Sequence, residues 1–344
     1  MPDYREKSSR TEAFIRWYVW GLQFKDCDPS LWCTNYLHQR YEHNIEQKLW
    51  FSWLFGNTYY LPTSWVLLNE FPDYELATVD RMALWNSGNY QRLRYQTDTK
   101  WNKGHLPDMF TSYQKFIGSA SQADRFWAIL SDNEETSFEN LFKEVGNNLY
   151  KFGRYSTWFY LQHLKHTVGL PIEPTSLLLD DFSGSRSHRN GLLLSLGEEE
   201  KIDEKLTSME YARLEAKASE VLCEVRIRFP QLAKEADFFS METALCSFKK
   251  IFRRKEGRYL GYYLDRQSEE IKKCEKDGWG GIYWDVLWDS RLESLDPRLS
   301  GKSTIDKDKF GAFLDTGSMD RLNWFFKEEP TFAEKEDIFD MFGA

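Results

Sequence analysis

Apolar residues recur along most of this chain at the three- and four-residue spacing of one face of an α-helix. The first such segment follows Thr11, a residue suited to the N-cap, and carries Phe14, Ile15, Tyr18 and Leu22. The same criteria predict helices over residues 35–55, 62–71, 76–85, 107–117, 122–130, 137–150, 154–169, 208–229, 240–255, 259–274 and 283–295. The pattern therefore predicts an all-α fold.

Two stretches interrupt this pattern. Residues 86–106 are polar and contain Gly88 and Gly104, which predicts an irregular excursion. Residues 180–197 form a Ser/Gly/Arg-rich loop that runs into a short apolar helix. A charge-rich stretch near 197–205 offers the one domain boundary that we predict. It divides a helical core of residues 1–200 from a helical extension of residues 201–344, with a single domain as the alternative.

Aromatic residues fill an unusual share of the apolar positions. They make up 17% of the 344 residues and include 14 Trp, whereas Val and Ile are sparse. Aromatic and straight-chain residues suit helix faces, whereas strands favour β-branched residues, so the composition agrees with the helical pattern. Packing in a core is the favoured explanation of the Trp content; a surface on which unpaired bases stack is the alternative.

The net charge of −9 argues against a broadly basic nucleic-acid-binding face, although a local basic groove on an acidic body is compatible with it. The first residues are polar and lack the apolar core of a signal sequence, and no apolar run is long enough to span a bilayer. Five scattered cysteines without a CxxC pair indicate neither a disulfide framework nor a zinc ribbon. We therefore expect a soluble cytoplasmic protein with no membrane partner.

Several common catalytic motifs are absent from the sequence. There is no GxxxxGK[ST], no GxGxxG after a strand and no GxSxG, which argues against a P-loop kinase, a Rossmann enzyme and the usual serine hydrolase. His163 and His166 share a helical face, but no further ligand pattern accompanies them, so surface histidines are the favoured interpretation. We predict no metal site and no cofactor, and leave a divalent cation open.

The loop at residues 183–191 has the composition of an anion site. Glycines let backbone N–H groups turn toward an anion, the start of a helix adds partial positive charge, and arginine donates to phosphate oxygens. The polar residues of the loop are Ser185, Arg186, His188, Arg189 and Asn190, and Asp180 and Asp181 precede it. A solvent-exposed loop without a ligand is the alternative.

A second basic cluster follows near residue 250. Lys249, Lys250, Arg253, Arg254 and Arg258 precede a segment in which tyrosines alternate with Arg266. Basic groups interleaved with stacking rings can hold a nucleic-acid strand. An ordinary solvated helix end is an equally open interpretation.

Two segments carry a resemblance to known families. Residues 151–174 resemble the helix-hairpin-helix of DNA glycosylases, with matching positions Gly153, Tyr155, Ser156, Thr157, Gly169 and Pro171. Residues 181–192 are similar to the "D…GPGS-basic-basic-GL" stretch of the phage amino acid:DNA transferases, also called α-glutamyl/putrescinyl-thymine pyrophosphorylases, with Ser-Gly-Ser where that family has Gly-Pro-Gly. The resemblance implies a DNA glycosylase-like helical core.

The resemblance also implies an activity. A transferase of this family would replace the pyrophosphate of 5-pyrophosphoryloxymethyl-uracil in double-stranded DNA with an amino acid or amine, in the cytoplasm of a phage-infected cell. Asp181 or Asp180 would act as the base, with Arg186, His188 and Arg189 on the pyrophosphate. Cys246 is a remote candidate for a transient nucleophile and is better explained as a packing residue.

The remaining predicted contacts are to substrate and DNA. Ser185 and Asn190 would complete the substrate site, and Lys249, Lys250 and Arg258 would grip DNA or the incoming carboxylate. The residues expected on DNA are Arg154, Tyr155, Arg253, Arg254 and Arg266. A DNA glycosylase acting on a flipped base and a non-catalytic helical binding protein are the alternative functions.

Overall fold

The computed structural model describes residues 4–96, 100–180, 186–252 and 260–296, and only the backbone of residues 100–102. The α-helices in these ranges are α1 Arg10–Gln23, α2 Pro29–Arg40, α3 Ile45–Thr58, α4 Leu61–Glu70, α5 Val79–Asn89, α6 Leu106–Ile117, α7 Gln122–Trp127, α8 Glu134–Asn148, α9 Arg154–His163, α10 Ser187–Ser195, α11 Ser208–Arg228, α12 Phe238–Phe248, α13 Tyr262–Lys276 and α14 Asp285–Ser294. These described ranges contain no strand. The predicted all-α fold is confirmed.

The helix predicted over residues 35–55 is two helices, α2 and α3. The chain turns between them at Glu42, whose φ of 49° lies in the left-handed region. Asn44 then starts α3 with a capping box, because its side chain accepts from the Gln47 N–H and the Gln47 side chain accepts from the Asn44 N–H. The prediction of one helix was wrong because the spacing of apolar residues gives no information about this N-cap.

The predicted stop of that helix at Gly56 was also wrong. Helix α3 continues to Thr58 and ends at Tyr59, whose φ is 45°. Gly56 instead lies against α9, where an added Cβ would come within 3.0 Å of the Tyr160 ring. A side chain at this position would therefore push the two helices apart.

The chain divides into two compact units. The first contains residues up to 29 and from 175 to 266, with a short return at 295–296 among the described residues. The second contains residues 30–174 and 267–294. The division near residue 200 that the sequence suggested stays a prediction.

In the first unit, α1, α10, α11 and α12 pack together. The Trp17 indole N–H donates to Ser247 Oγ over 3.0 Å, and the Tyr18 hydroxyl donates to the Asp237 carbonyl, also over 3.0 Å. Asp237 caps α12 through the Ser240 N–H. These polar contacts fix the rotation of α12 relative to α1.

In the second unit, α3 is the central helix and contacts α4, α7 and α9. Its Trp50 and Trp53 are fully buried and stack at 5.0 Å between ring centroids, and Tyr113 of α6 stacks on Trp53 at 4.9 Å. Trp158 of α9 is also fully buried. These side chains agree with the core-packing explanation of the Trp content.

The segment with the hairpin resemblance, residues 151–174, begins in the turn at residues 149–153, which joins α8 to α9. Lys151 in this turn has a φ of 69°. After α9 the chain continues as a π-helical segment, Leu164–Val168, which ends at Gly169 with a φ of 87°. The helix end near Gly169 is as predicted, whereas the glycosylase-like character of the fold stays a prediction.

No helix of the described ranges combines the length and the apolar character that a membrane crossing requires.

Candidate active site

In the first unit, two hydrogen bonds to one carboxylate hold the backbone just before the predicted anion loop. The Glu215 carboxylate on α11 accepts from the Leu177 N–H at 2.8 Å and from the Leu179 N–H at 2.7 Å. Between them, Leu178 has a φ of 52°. Asp180 follows and is exposed. Glu215 thus fixes the backbone that leads into the loop.

The chain leaves the loop at the start of α10. Arg186 is the N-cap residue and is exposed, and its side chain makes no capping hydrogen bond. Backbone N–H groups at a helix start point outward along the axis and favour an anion. The end of α10 that carries Arg186 therefore combines a side-chain cation with the positive end of a helix.

One turn inside α10, His188 meets α12. His188 Nδ1 lies 3.6 Å from Glu242 Oε1, within ion-pair range, and the two side chains are 2% and 3% exposed. The Cys246 thiol, one turn further along α12, donates to the same Glu242 oxygen over 3.6 Å. The buried imidazole and carboxylate and the half-buried thiol therefore form a polar cluster that can hold or move a proton.

A close helix contact brings this pair together. Gly191 follows His188 by one turn, and Leu245 follows Glu242 by one turn. A Cβ built on Gly191 would lie 2.2 Å from the Leu245 carbonyl oxygen. Only glycine lets the two backbones approach this closely, so Gly191 determines how near α10 lies to α12.

Arg189 is buried and points into the protein. Its Nε and Nη2 donate to Asn190 Oδ1 at 3.1 and 3.0 Å, and Nη2 also donates to the Ile202 carbonyl at 2.6 Å. Its Nη1 donates to the Tyr211 hydroxyl at 3.5 Å. The guanidinium thus ties α10 to the chain before α11. Its predicted contact with a pyrophosphate stays a prediction.

The other described residues of the predicted site are spread over both units. Lys249 and Lys250 are half-buried after the end of α12, about 10–12 Å along the helix axis from Glu242 by the α-helical rise. Arg266 is half-buried on α13.

In the second unit, Arg154 is 3% exposed with its guanidinium over the Trp158 ring. Tyr155 packs on Phe159 and Tyr59. Asp181, Ser185, Arg253, Arg254 and Arg258 lie outside the described residues.

The sequence analysis did not single out Glu242. Its signal is a lone carboxylate within the otherwise apolar or uncharged helix FFSMETALCSF. A carboxylate in such a helix is costly to bury unless a partner engages it, which is itself a hint of a site. Helical periodicity could not supply the partner, because His188 is distant in sequence.

Within the part of the chain that the structure describes, no three His, Cys, Asp or Glu side chains are grouped so as to hold a metal ion. The groups that the structure places near the start of α10 are the exposed Arg186, the helix N-terminus and the His188–Glu242 pair.

Comparison with known proteins decides the class. The model of the amino acid:DNA transferase family matches residues 28–256, about two-thirds of the chain. The chain belongs to the amino acid:DNA transferase family. It is also 26% identical to a serinyltransferase of Salmonella phage ViI, over an alignment that covers 92% of this chain and 82% of that protein. No solved structure matches the chain.

Family membership confirms the resemblance noted in the sequence. The protein is a transferase, and the family's substrates are DNA and an amino acid. The glycosylase and the non-catalytic binding protein are thereby set aside as alternatives. Both Glu242 and the start of α10 lie within the matched residues.

Proposed function

We propose that this transferase joins an amino acid to 5-pyrophosphoryloxymethyl-uracil in double-stranded DNA and releases pyrophosphate. A nucleophilic atom of the amino acid forms a bond to the exocyclic methylene carbon. The bond from that carbon to the pyrophosphate oxygen breaks, and its electron pair leaves with the pyrophosphate. The proton of the nucleophile passes to a base of the protein. Serine is the first amino acid to test, because the phage relative is named a serinyltransferase.

The observation that carries this proposal is the buried contact between His188 and Glu242. An amino acid must lose a proton before or during attack, and histidine is the side chain best suited to accept one near neutral pH. A carboxylate beside the imidazole stabilises the protonated form that results. We therefore assign proton transfer to His188 and the stabilisation of its charge to Glu242. Asp180 and Asp181 are the alternative bases.

Departure of the pyrophosphate requires positive charge that is in place before the reaction. We assign this role to Arg186 together with the N–H groups at the start of α10. Arg189 acts in the proposal through its contacts with Asn190 and Ile202, which hold α10, and so positions the site. In the proposal the uracil is extruded from the duplex, which would bring its methylene carbon to the groups of the protein.

The setting of the reaction follows from its substrate. A phage-encoded enzyme that modifies DNA would act in the cytoplasm of the infected cell, where that DNA is made. The proposed step uses an amino acid and the modified DNA as its only reactants, and no metal or organic cofactor is assigned to it.

The proposal is tested with duplex DNA that carries the pyrophosphorylated base. The protein is incubated with this DNA and with each amino acid in turn, beginning with serine. Released pyrophosphate is measured, and the digested nucleosides are weighed by mass spectrometry. A nucleoside heavier than 5-hydroxymethyl-deoxyuridine by the mass of one amino acid residue, formed together with pyrophosphate, supports the proposal. Pyrophosphate release with no amino acid on the DNA, or no reaction at all, contradicts it.

Variants of the buried pair test the assignment of roles. We expect Glu242→Gln and His188→Gln to lower kcat by about 100-fold or more, the usual effect of losing a general base. Cys246→Ser is the matched control, because it keeps a small polar group beside Glu242 and should retain kcat within a few-fold. If Asp180→Asn or Asp181→Asn is inactive while His188→Gln is fully active, the base is that aspartate and not His188.

A further inference from the structure

The residues that line a cavity in the second unit include four cations. Its volume is about 490 Å³. The charged side chains of its wall are Arg92, Arg94, Lys103, Lys273 and Asp277. Four positive charges thus face one negative charge, on a chain whose net charge is −9. Such a local reversal of sign concentrates an anionic ligand at the cavity.

The two arginines are held in fixed positions. Arg94 donates from Nε and Nη2 to the two carboxylate oxygens of Asp277, at 2.5 and 2.8 Å. Arg92 donates from Nη2 to the carbonyls of Asp277 and Gly278, and its guanidinium lies 4.1 Å above the Trp279 ring centroid. Because Asp277 neutralises Arg94, the excess charge of the wall comes from Arg92 and the lysines.

The two lysines are bound much less firmly. Lys103 Nζ donates to the Leu93 carbonyl over 3.5 Å. Lys273 Nζ lies 3.5 Å from Glu269 Oε2, and both of these side chains are more than half exposed, so the pair contributes little. Either ammonium group can therefore turn to a ligand in the cavity at small cost.

The backbone that carries the arginines is anchored. The Thr63 hydroxyl donates to the Arg94 carbonyl over 2.5 Å, and the Gln96 N–H donates to the Thr58 carbonyl over 3.2 Å. Tyr95, between them, lines the cavity, and its buried hydroxyl has no hydrogen-bond partner among the described residues. The wall thus presents both fixed and adjustable cations.

We propose that this cavity is a phosphate-binding pocket of the transferase. Phosphate oxygens accept from guanidinium and ammonium groups alike, and both line the wall. The phosphate can come from the backbone of the DNA substrate or from free pyrophosphate. This inference rests on the proposed function in one respect: it requires a ligand that carries phosphate, but not the chemistry of the transfer step.

The test compares two double variants of equal charge. Lys103→Gln/Lys273→Gln removes both adjustable cations of the pocket. Lys115→Gln/Lys143→Gln removes two exposed lysines on α6 and α8 of the same unit, away from the pocket wall. Binding of duplex DNA is measured by fluorescence anisotropy over a series of salt concentrations. Binding of inorganic pyrophosphate is measured by calorimetry, and thermal unfolding confirms that both variants are folded.

We expect the pocket variant to bind DNA on the order of fivefold more weakly at 0.15 M salt for each phosphate that it no longer neutralises, from the counterion-release slope. The slope of log K against log salt should fall by about one for each such phosphate, whereas the control variant keeps the wild-type slope. This result identifies the DNA backbone as the source of the phosphate. Weaker pyrophosphate binding with unchanged DNA binding identifies pyrophosphate instead.

If the two double variants bind duplex DNA equally well and bind pyrophosphate equally well, the proposal that the cavity binds phosphate is contradicted. The transfer assay separates this outcome from failure of the proposed function. If the pocket variant loses phosphate binding and the wild type transfers no amino acid, the pocket is supported and the proposed reaction is not. If transfer proceeds and the two variants bind alike, the reaction is supported and the pocket is not.

Discussion

Glu242 shows how a single side chain can mark a site in this protein. A carboxylate that is almost fully buried loses its hydration, and this costs several kcal/mol unless other groups replace the water. Here the His188 imidazole lies 3.6 Å from Glu242 Oε1, and the Cys246 thiol donates to the same oxygen. Exchange of Glu242 for an apolar residue would remove this cost, so its presence is better explained by chemistry than by stability.

Arg186 and Arg189 are close in sequence but differ in surroundings, and this predicts opposite effects of truncation. Arg189→Ala should lower the free energy of unfolding by about 2–4 kcal/mol, because Asn190, Tyr211 and the Ile202 carbonyl lose a buried charged donor. Arg186→Ala should change it by about 0.5 kcal/mol or less, since the side chain is exposed.

Urea unfolding and the transfer assay on both variants check this prediction. Arg186→Ala should lose activity while it keeps its stability. If Arg189→Ala is as stable as the wild type, its guanidinium contacts are not structural. If Arg186→Ala is fully active, Arg186 has no part in pyrophosphate release.

At the scale of elements, the pairing of α10 with α12 depends on Gly191. The Gly191→Ala methyl would lie 2.2 Å from the Leu245 carbonyl oxygen, so the helices must separate. We expect a loss of about 3 kcal/mol or more in the free energy of unfolding, at the upper end of overpacking effects. Activity should fall as well, because His188 and Glu242 move apart with the helices.

Gly146→Ala is the matched control for this substitution. Gly146 lies within α8, and its Cβ would meet only Thr157 Oγ1, at an ordinary 3.8 Å. Because alanine favours the helix over glycine, we expect a gain of about 0.5–1 kcal/mol. Thermal or urea unfolding of the two variants gives the comparison, and a Gly191→Ala protein as stable as the wild type would refute the close contact.

For the whole molecule, buried neutral histidines predict a loss of stability in acid. Burial lowers the pKa of His38 from its usual 6.5 to about 3 and the pKa of His163 well below 6.5. His163 is fully buried, so the surface position that the sequence predicted for it was wrong. At a pH between the lowered pKa of each buried histidine and 6.5, the unfolded chain binds a proton that the folded chain does not. Stability therefore falls as the pH drops below about 6.5. Asp26 opposes this trend, since burial raises its pKa to about 7.

The contribution of one histidine is isolated with His163→Gln, in which the side chain is of similar size and does not titrate. Relative to the wild type, this variant should gain about 2 kcal/mol of unfolding free energy between pH 7 and pH 5, from the loss of one proton-binding difference. A constant difference between His163→Gln and the wild type across this range would show that burial does not lower the pKa of His163.

Local patterns predicted many of the elements because helix faces, caps and breakers are set by nearby residues. The Thr207–Glu210 capping box begins α11 at Ser208, where the sequence placed a long helix. Local patterns were insufficient at Glu42 and Asn44, where a polar turn divides one apolar stripe into two helices. They also predicted a helix over residues 240–255, whereas α12 ends at Phe248. The basic run after that helix is compatible with either helix or turn.

The sequence by itself determined the helical class, the transferase family and the segment around Arg186, because periodicity and family motifs are carried by residues that are neighbours in the chain. Only the tertiary structure decided that Glu242 lies against His188, that the Arg189 guanidinium points inward, and that Arg92, Lys103 and Lys273 line one cavity. The physical reason is that burial and charge pairing depend on the packing of helices far apart in sequence. No local spacing encodes that packing.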